Sequence, residues 1–244
     1  MAKRLTRKKL KQKDEFITTA ERFLNAVSTH KTGFVVGAIT LLFLLIFGSI
    51  GYYYYKDYSK RGSIAYSQAL QLYDIALKTQ DKKDITNAMN EFETVETNFK
   101  FLNISKFALL YVGSCEYLLG DYDKAIQTYK TFLSRWGKDN NYIASIAYNG
   151  EIESYIAKND CNKALSLIDE IINLKDNPFL ELTYVHAVYC YLTMHQPEKA
   201  LVFLENEKKN NINNKDLVLK ITNLIDYVKQ SSNNKIINFK SNNF

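Results

Sequence analysis

Three cysteines, three histidines and a few neighbouring carboxylates are the side chains here with chemistry to offer. Cys115, Cys161 and Cys190 would suit a zinc knuckle or a dithiol exchange centre if two of them lay two residues apart, and no pair does. His30, His186 and His195 are scattered. His186 and His195 are nine residues apart, a spacing that brings no two imidazoles together on one helix. Glu151 and Glu153, two apart, point to different helix faces, and Asp169 and Glu170 read as neighbours on a solvated face. There is no HExxH, no Gly-rich phosphate loop and no nucleophile elbow. The expectation is a chain with no catalytic constellation, no metal site, no cofactor and no small-molecule substrate: a protein that is not an enzyme.

With chemistry set aside, the elements speak for themselves. Gly33 to Tyr55, GFVVGAITLLFLLIFGSIGYYYY, has no charge across 23 residues. At 1.5 Å per residue it makes a helix of roughly 35 Å, enough to cross a hydrocarbon core of about 30 Å. Tyr52, Tyr53, Tyr54 and Tyr55 close it with amphipathic rings of the kind that favour a membrane interface. Residues 1–32 carry nine of the 32 Lys plus Arg, and residues 1–55 only three of the 26 Asp plus Glu, so residues 56–244 hold 23 of each. The positive-inside rule places the N-terminus in the cytoplasm and residues 56–244 across the membrane. The leader and the apolar run are both too long for a cleaved signal peptide. A formally neutral large domain argues against nucleic acid, which needs a basic face.

Residues 1–13 read as a basic disordered leader. Residues 14–31 read as an amphipathic helix on the membrane surface, with Phe16, Ile17, Ala20, Phe23, Leu24 and Val27 on one face; a partner-binding helix is the alternative. Beyond the span, two Pro and nine Gly in the whole chain leave little turn punctuation, and apolar residues recur every three or four positions. The class is all-α. KDYSKRGSIAYSQALQLYDIALKTQ after the span reads as a helix that could continue out of the membrane, with Ser59 to Ser63 as a place where the join could loosen.

A ladder then repeats. Ala88, Ala125, Ala164 and Ala200 are 37, 39 and 36 residues apart. Four residues after each stands Phe92, Tyr129, Ile168 or Leu204; seven after stands Val95, Phe132 or Ile171, and the last repeat breaks the pattern with Glu207. Twelve before each stands Ala76, Gly113, Ile152 or Val188; nine before, Thr79 and Glu116 fit poorly beside Tyr155 and Tyr191. A small residue lets two helices approach, and large ones fill the groove between hairpins. Gly120 and Asn159 suit left-handed helix ends, Asp84, Asp121 and Asp160 suit caps, and Pro197 suits a first turn. Four hairpins over 63–210 are followed by a capping helix at 215–230, with Leu217, Ile221, Leu224, Ile225 and Val228 on one face, and by a disordered tail at 231–244.

The ladder resembles the tetratricopeptide repeat, most clearly in LGDYDKAIQTYKTFL at 119–133. The resemblance implies a short α-solenoid whose first helices line a concave, partner-binding surface. The side chains aimed there would be Phe107, Leu110, Ser114 and Tyr117 from the second repeat. The third would offer Ile146, Asn149 and Glu153, and the fourth Leu182, Val185, Tyr189 and Leu192. Such an apolar, Tyr-rich groove suits an extended or helical apolar peptide; the same residues would otherwise pack against the capping helix. Cys115 and Cys190, two repeats apart, would be too distant for a disulfide. Buried free thiols are expected, with Cys161 at a helix start as the exposed exception.

A narrower resemblance rests on DEFITTAERFL (14–24), the span, and SKRGSIAYSQAL (59–70). The arrangement is similar to the ancillary SecYEG translocon subunits of the YfgM-like kind. That implies a single-pass bacterial inner-membrane protein with a periplasmic domain, in contact with membrane lipid. Its partners would be translocon subunits, periplasmic chaperones or exported chains. A structural adaptor in another envelope assembly (cell division, secretion or motility) is the alternative. A eukaryotic organelle-surface receptor would require the opposite orientation.

Overall fold

The computed structural model of the chain describes residues 28–29, 31–138, 141–174 and 177–233. The basic leader at 1–13, nearly all of the helix expected at 14–31, and the tail from 234 onward lie outside the described residues. Every regular element among the described residues is a helix: α1 (Lys31–Thr79), α2 (Lys82–Asn98), α3 (Ile104–Leu119), α4 (Tyr122–Trp136), α5 (Asn141–Ala157), α6 (Cys161–Ile171), α7 (Leu180–Thr193), α8 (Pro197–Asn210) and α9 (Lys215–Asn233). The chain divides into two units, Met1–Tyr58 and Ser59–Phe244.

In the first unit, α1 carries the apolar stretch. It has a mean hydropathy of 2.5 over its most apolar window, and none of that window is buried. By length and composition it is a candidate membrane span. Its few hydroxyls bond back along the helix, Thr40 to the Val36 carbonyl at 2.8 Å and Ser49 to the Leu45 carbonyl at 2.6 Å, so they need no water. Contrary to the expected loosening at Ser59 to Ser63, α1 runs unbroken through that segment. Ser63 donates to the Ser59 carbonyl at 3.0 Å, which keeps its hydroxyl within the helix.

In the second unit the helices pair as hairpins: residues 59–79 of α1 with α2, then α3 with α4, α5 with α6, and α7 with α8. The ladder alanines Ala88, Ala125, Ala164 and Ala200 are all fully buried. Around them sit Phe92, Ile168 and Leu204, with no exposure, and Tyr129, nearly buried. Four apolar clusters follow one another along the array. The three positions that spoil the ladder are reconciled by hydrogen bonds, the exposed Thr79 hydroxyl donating to Asp84 at 2.8 Å. Glu207 accepts from the Tyr184 hydroxyl at 3.0 Å, and the buried Glu116 accepts from the Thr128 hydroxyl at 2.6 Å. Each carboxylate thus has a partner where the pattern wants an apolar group.

The turns inside the hairpins share one device. Gly120 at φ 84° and Asn159 at φ 61° take the left-handed conformation, and so do Gln80 at φ 54° and His195 at φ 58°, which the sequence did not single out. A connection of two or three residues between antiparallel helices needs that reversal whatever residue supplies it. The caps require a correction. Asp81, not Asp84, caps α2, its side chain accepting from the Lys83 amide at 2.6 Å, while Asp84 sits inside the first turn and accepts from the Thr79 hydroxyl. Asp160 caps α6, Asp121 holds Lys124 instead of a backbone amide, and Pro197 opens α8. α9 closes the array, burying Leu217, Ile221, Ile225 and Val228 against Tyr184, Val188 and Leu204. Leu224 is only half-buried.

All three thiols are free and buried. Cys161 is therefore not the exposed exception: it lies in the same apolar cluster as Cys190, and the two thiols hydrogen-bond.

Candidate functional site

The first helices of the hairpins, α3, α5 and α7, face one side of the array. Seven of the eleven residues expected there come together in a cavity of about 370 Å³: Phe107, Leu110 and Ser114 on α3, Ile146, Asn149 and Glu153 on α5, and Leu182 on α7. Val185, Tyr189 and Leu192 line a different cavity of about 620 Å³, whose opposite wall is α9, with Lys220, Asn223, Leu224 and Tyr227. Leu192 also enters the apolar cluster that α9 completes, so for it packing against the capping helix is the structural outcome. Tyr117 lines neither cavity; its ring lies 5.5 Å from that of Tyr122 at the start of α4.

The sequence missed several walls of the first cavity. Tyr66 on α1, Tyr111 on α3, Gly150 on α5 and Phe179 before α7 also line it, and Tyr129 of α4 reaches into it from the second layer. Tyr111 was findable, one turn after Phe107. Tyr129 was not, because its reach depends on two glycines on neighbouring helices. A Cβ at Gly150 would lie 2.3 Å from the Tyr129 Cζ, and one at Gly113 would lie 2.9 Å from it. Those absent side chains are what admit the ring. Behind the cavity, Tyr111 stacks on Phe92 with centroids 4.6 Å apart, and Tyr73 shares a 2.7 Å hydrogen bond with Ser114.

The polar groups in this wall are few and strained for partners. Asn149 is nearly buried; its Nδ2 donates to the Ser145 carbonyl at 2.8 Å, but its Oδ1 has no partner. Glu153 and His186 face each other across α5 and α7, with His186 Nε2 3.7 Å from Glu153 Oε1, and the buried His186 Nδ1 has no partner. Burial shifts both: it pushes the Glu153 carboxyl above the usual carboxylate range and drops His186 to about 4. Both groups are thereby driven toward neutrality. Burial, with Glu153 adding to it, also raises the Tyr117 and Tyr129 phenols. The arrangement can bind an apolar surface and accept a hydrogen bond at Asn149. Among the described residues, no group of three or more His, Cys, Asp or Glu is placed to hold a metal ion.

No family model matches the chain, and no curated protein matches it. Solved structures do. The crystal structure of TPR-like repeats assigned to a kinesin light chain of Podosopora anserina is similar over 69% of this chain and 89% of its own, at 12% identity and a TM-score of 0.52. A variant of the same protein is similar over 70% of this chain and 98% of its own, at 10% identity and a TM-score of 0.48. At that identity the first likeness shows the fold: the helical hairpins of this chain form a TPR-like array.

Proposed function

We propose that this chain is a membrane-anchored scaffold that holds other polypeptides and does not transform them. The observation that carries the reading is the cavity over α3, α5 and α7: apolar and aromatic walls around one buried, unpartnered acceptor, Asn149 Oδ1. Those walls bury apolar side chains, and a lone acceptor takes the backbone N–H of an extended segment. The uncharged stretch from Gly33 to Tyr55 supports a single pass through the membrane, and the basic leader supports a cytoplasmic N-terminus. The setting we infer is a bacterial inner membrane, with the array in the periplasm beside the protein-export translocon. There it would keep periplasmic chaperones or emerging chains near the exit.

The test is a photoactivatable side chain at Phe107 or Leu182 in living cells. The expected adducts are translocon subunits, periplasmic chaperones or secretory chains. Adducts confined to a division, secretion or motility apparatus would move the reading to a structural adaptor, and an absence of adducts from both positions would overturn it.

A further inference from the structure

The connections of the hairpin array alternate between two edges, and the edges differ in chemistry. One edge carries the tight turns inside the hairpins, Gln80–Asp81, Gly120–Asp121, Asn159–Asp160 and His195–Gln196, which are polar and hold three Asp. The other carries the connections between hairpins. There Phe101 is 79% exposed, Ile212 64% and Tyr142 55%. Lys100 Nζ lies 5.3 Å from the Phe101 ring, and Lys106 Nζ and the Arg135 guanidinium each lie 5.7 Å from the Trp136 ring. An aromatic tip backed by cations does little for a soluble surface, where so large an apolar side chain gains nothing from exposure.

This is also the edge where the chain enters the array. Gly62 packs under the connection between α2 and α3: a Cβ there would lie 2.6 Å from Leu102 and 2.9 Å from Phe99. Gly62 lies seven positions after Tyr55, the last of the apolar stretch, and seven steps of chain reach at most about 25 Å in any conformation. If Gly33 to Tyr55 spans a bilayer, the Phe99–Lys106 corner is tethered within reach of the headgroups.

We propose that this corner is a second membrane contact, with a phospholipid interface as its occupant. The Phe101 ring enters the boundary between headgroups and acyl chains, and Lys100 and Lys106 sit at the phosphates. Aromatic rings favour that depth, and each lysine near an anionic surface adds to the attraction. The contact fixes the array against the membrane by one edge and leaves the polar, charge-paired edge facing away. It rests on the reading of Gly33 to Tyr55 as a span.

The test uses the full chain in vesicles of phosphatidylcholine and phosphatidylglycerol. Trp136 is the one tryptophan of the sequence, so Trp136→Phe gives a dark background for a reporter. On it, Phe101→Trp places the reporter at the corner and Lys124→Trp places one on the polar edge. Lipids brominated near the headgroup end of the acyl chain should quench the first reporter at least about twofold more than the second, with a blue-shifted emission. Adding Lys100→Glu should reduce that quenching. A chain that floats with the vesicles but leaves the first reporter red-emitting and unquenched overturns the contact and keeps the anchor. A blue shift without lipid quenching assigns the corner to a protein surface and overturns the contact as well. A chain that fails to stay with the vesicles removes both readings at once.

Discussion

Two stretches of the same concave surface carry the same helical register and come to different ends. Over α3, α5 and α7 the inward side chains line a cavity that holds one unpartnered acceptor, Asn149 Oδ1, and the carboxylate of Glu153, which faces His186 at 3.7 Å. One hairpin further on, the inward side of α7 meets α9: Val188 and Leu192 join Ile221 and Ile225 in an apolar cluster and line the cavity of about 620 Å³ that α9 walls. A repeat register says which face a side chain takes. It does not say what stands opposite, because that depends on whether another hairpin or a terminal helix comes next. The two regions should therefore respond differently to the same perturbations.

The largest difference should follow from removing α9 with a stop after Asn214. Ile221, Ile225 and Val228 are fully or almost fully buried, and their loss leaves Tyr184, Val188 and Leu204 uncovered. Burial of each such side chain is worth about 1.5–3 kcal/mol, so the last hairpin loses more than it has to spare. Hydrogen exchange should show protection collapsing across 180–210 while α3, α4 and α5 stay protected, as expected of a nearest-neighbour array. Uniform collapse of the whole array would erase the distinction between the regions.

The next effect is a pH dependence centred on the His186–Glu153 pair beside the first cavity. His186 has its pKa lowered to about 4 by burial, from an unfolded value near 6.5. Between those values the unfolded chain binds a proton that the folded chain refuses, so stability falls as pH drops from about 6.5 to about 4, by about 3 kcal/mol at most. Glu153 runs the other way. Its raised carboxyl pKa makes the folded state the better proton binder, so its contribution is largest at low pH and declines as pH rises through that raised value. The raised carboxyls of Glu116, Glu151 and Glu153 pull the other way in both chains, so denaturant midpoints measured across this range should fall less toward acid, or rise more, in His186→Gln than in the parent. An unchanged slope in the variant would mean that His186 is not the group responsible.

The ladder of buried alanines and its large neighbours was legible because a repeat writes the same packing problem several times. The single turns and caps were less so. Gln80 and His195 are left-handed because the short connection requires it, and nothing in their residue type announces that. Asp81 won the cap from Asp84 by three residues, a choice made by where α1 ends. Of the cavity, Phe107, Leu110 and Ser114 on α3 and Ile146, Asn149 and Glu153 on α5 were legible through the repeat resemblance. Tyr129 was not, since it owes its place to Gly113 and Gly150 on other helices. Tyr117 failed for the opposite reason: it has the right face, but Tyr122 across the Gly120 turn gives its ring a partner outside the cavity.

The smallest effect is the one that separates binding from stability. Asn149 has one satisfied half and one unsatisfied half. Asn149→Leu gives up the bond to the Ser145 carbonyl, worth about 1 kcal/mol, and also removes a desolvated acceptor whose burial costs about as much. The two terms nearly cancel, so the unfolding midpoint should move by less than about 1 kcal/mol. Peptide capture should not be spared in the same way. If Oδ1 takes a backbone N–H from the bound segment, the variant leaves that donor buried and unpaired, and crosslinking yield from Leu182 should fall while the fold is unchanged. A variant that loses stability and capture together would mark Asn149 as an ordinary packing residue. The first cavity would then be no more specialised for a partner than the one that α9 walls.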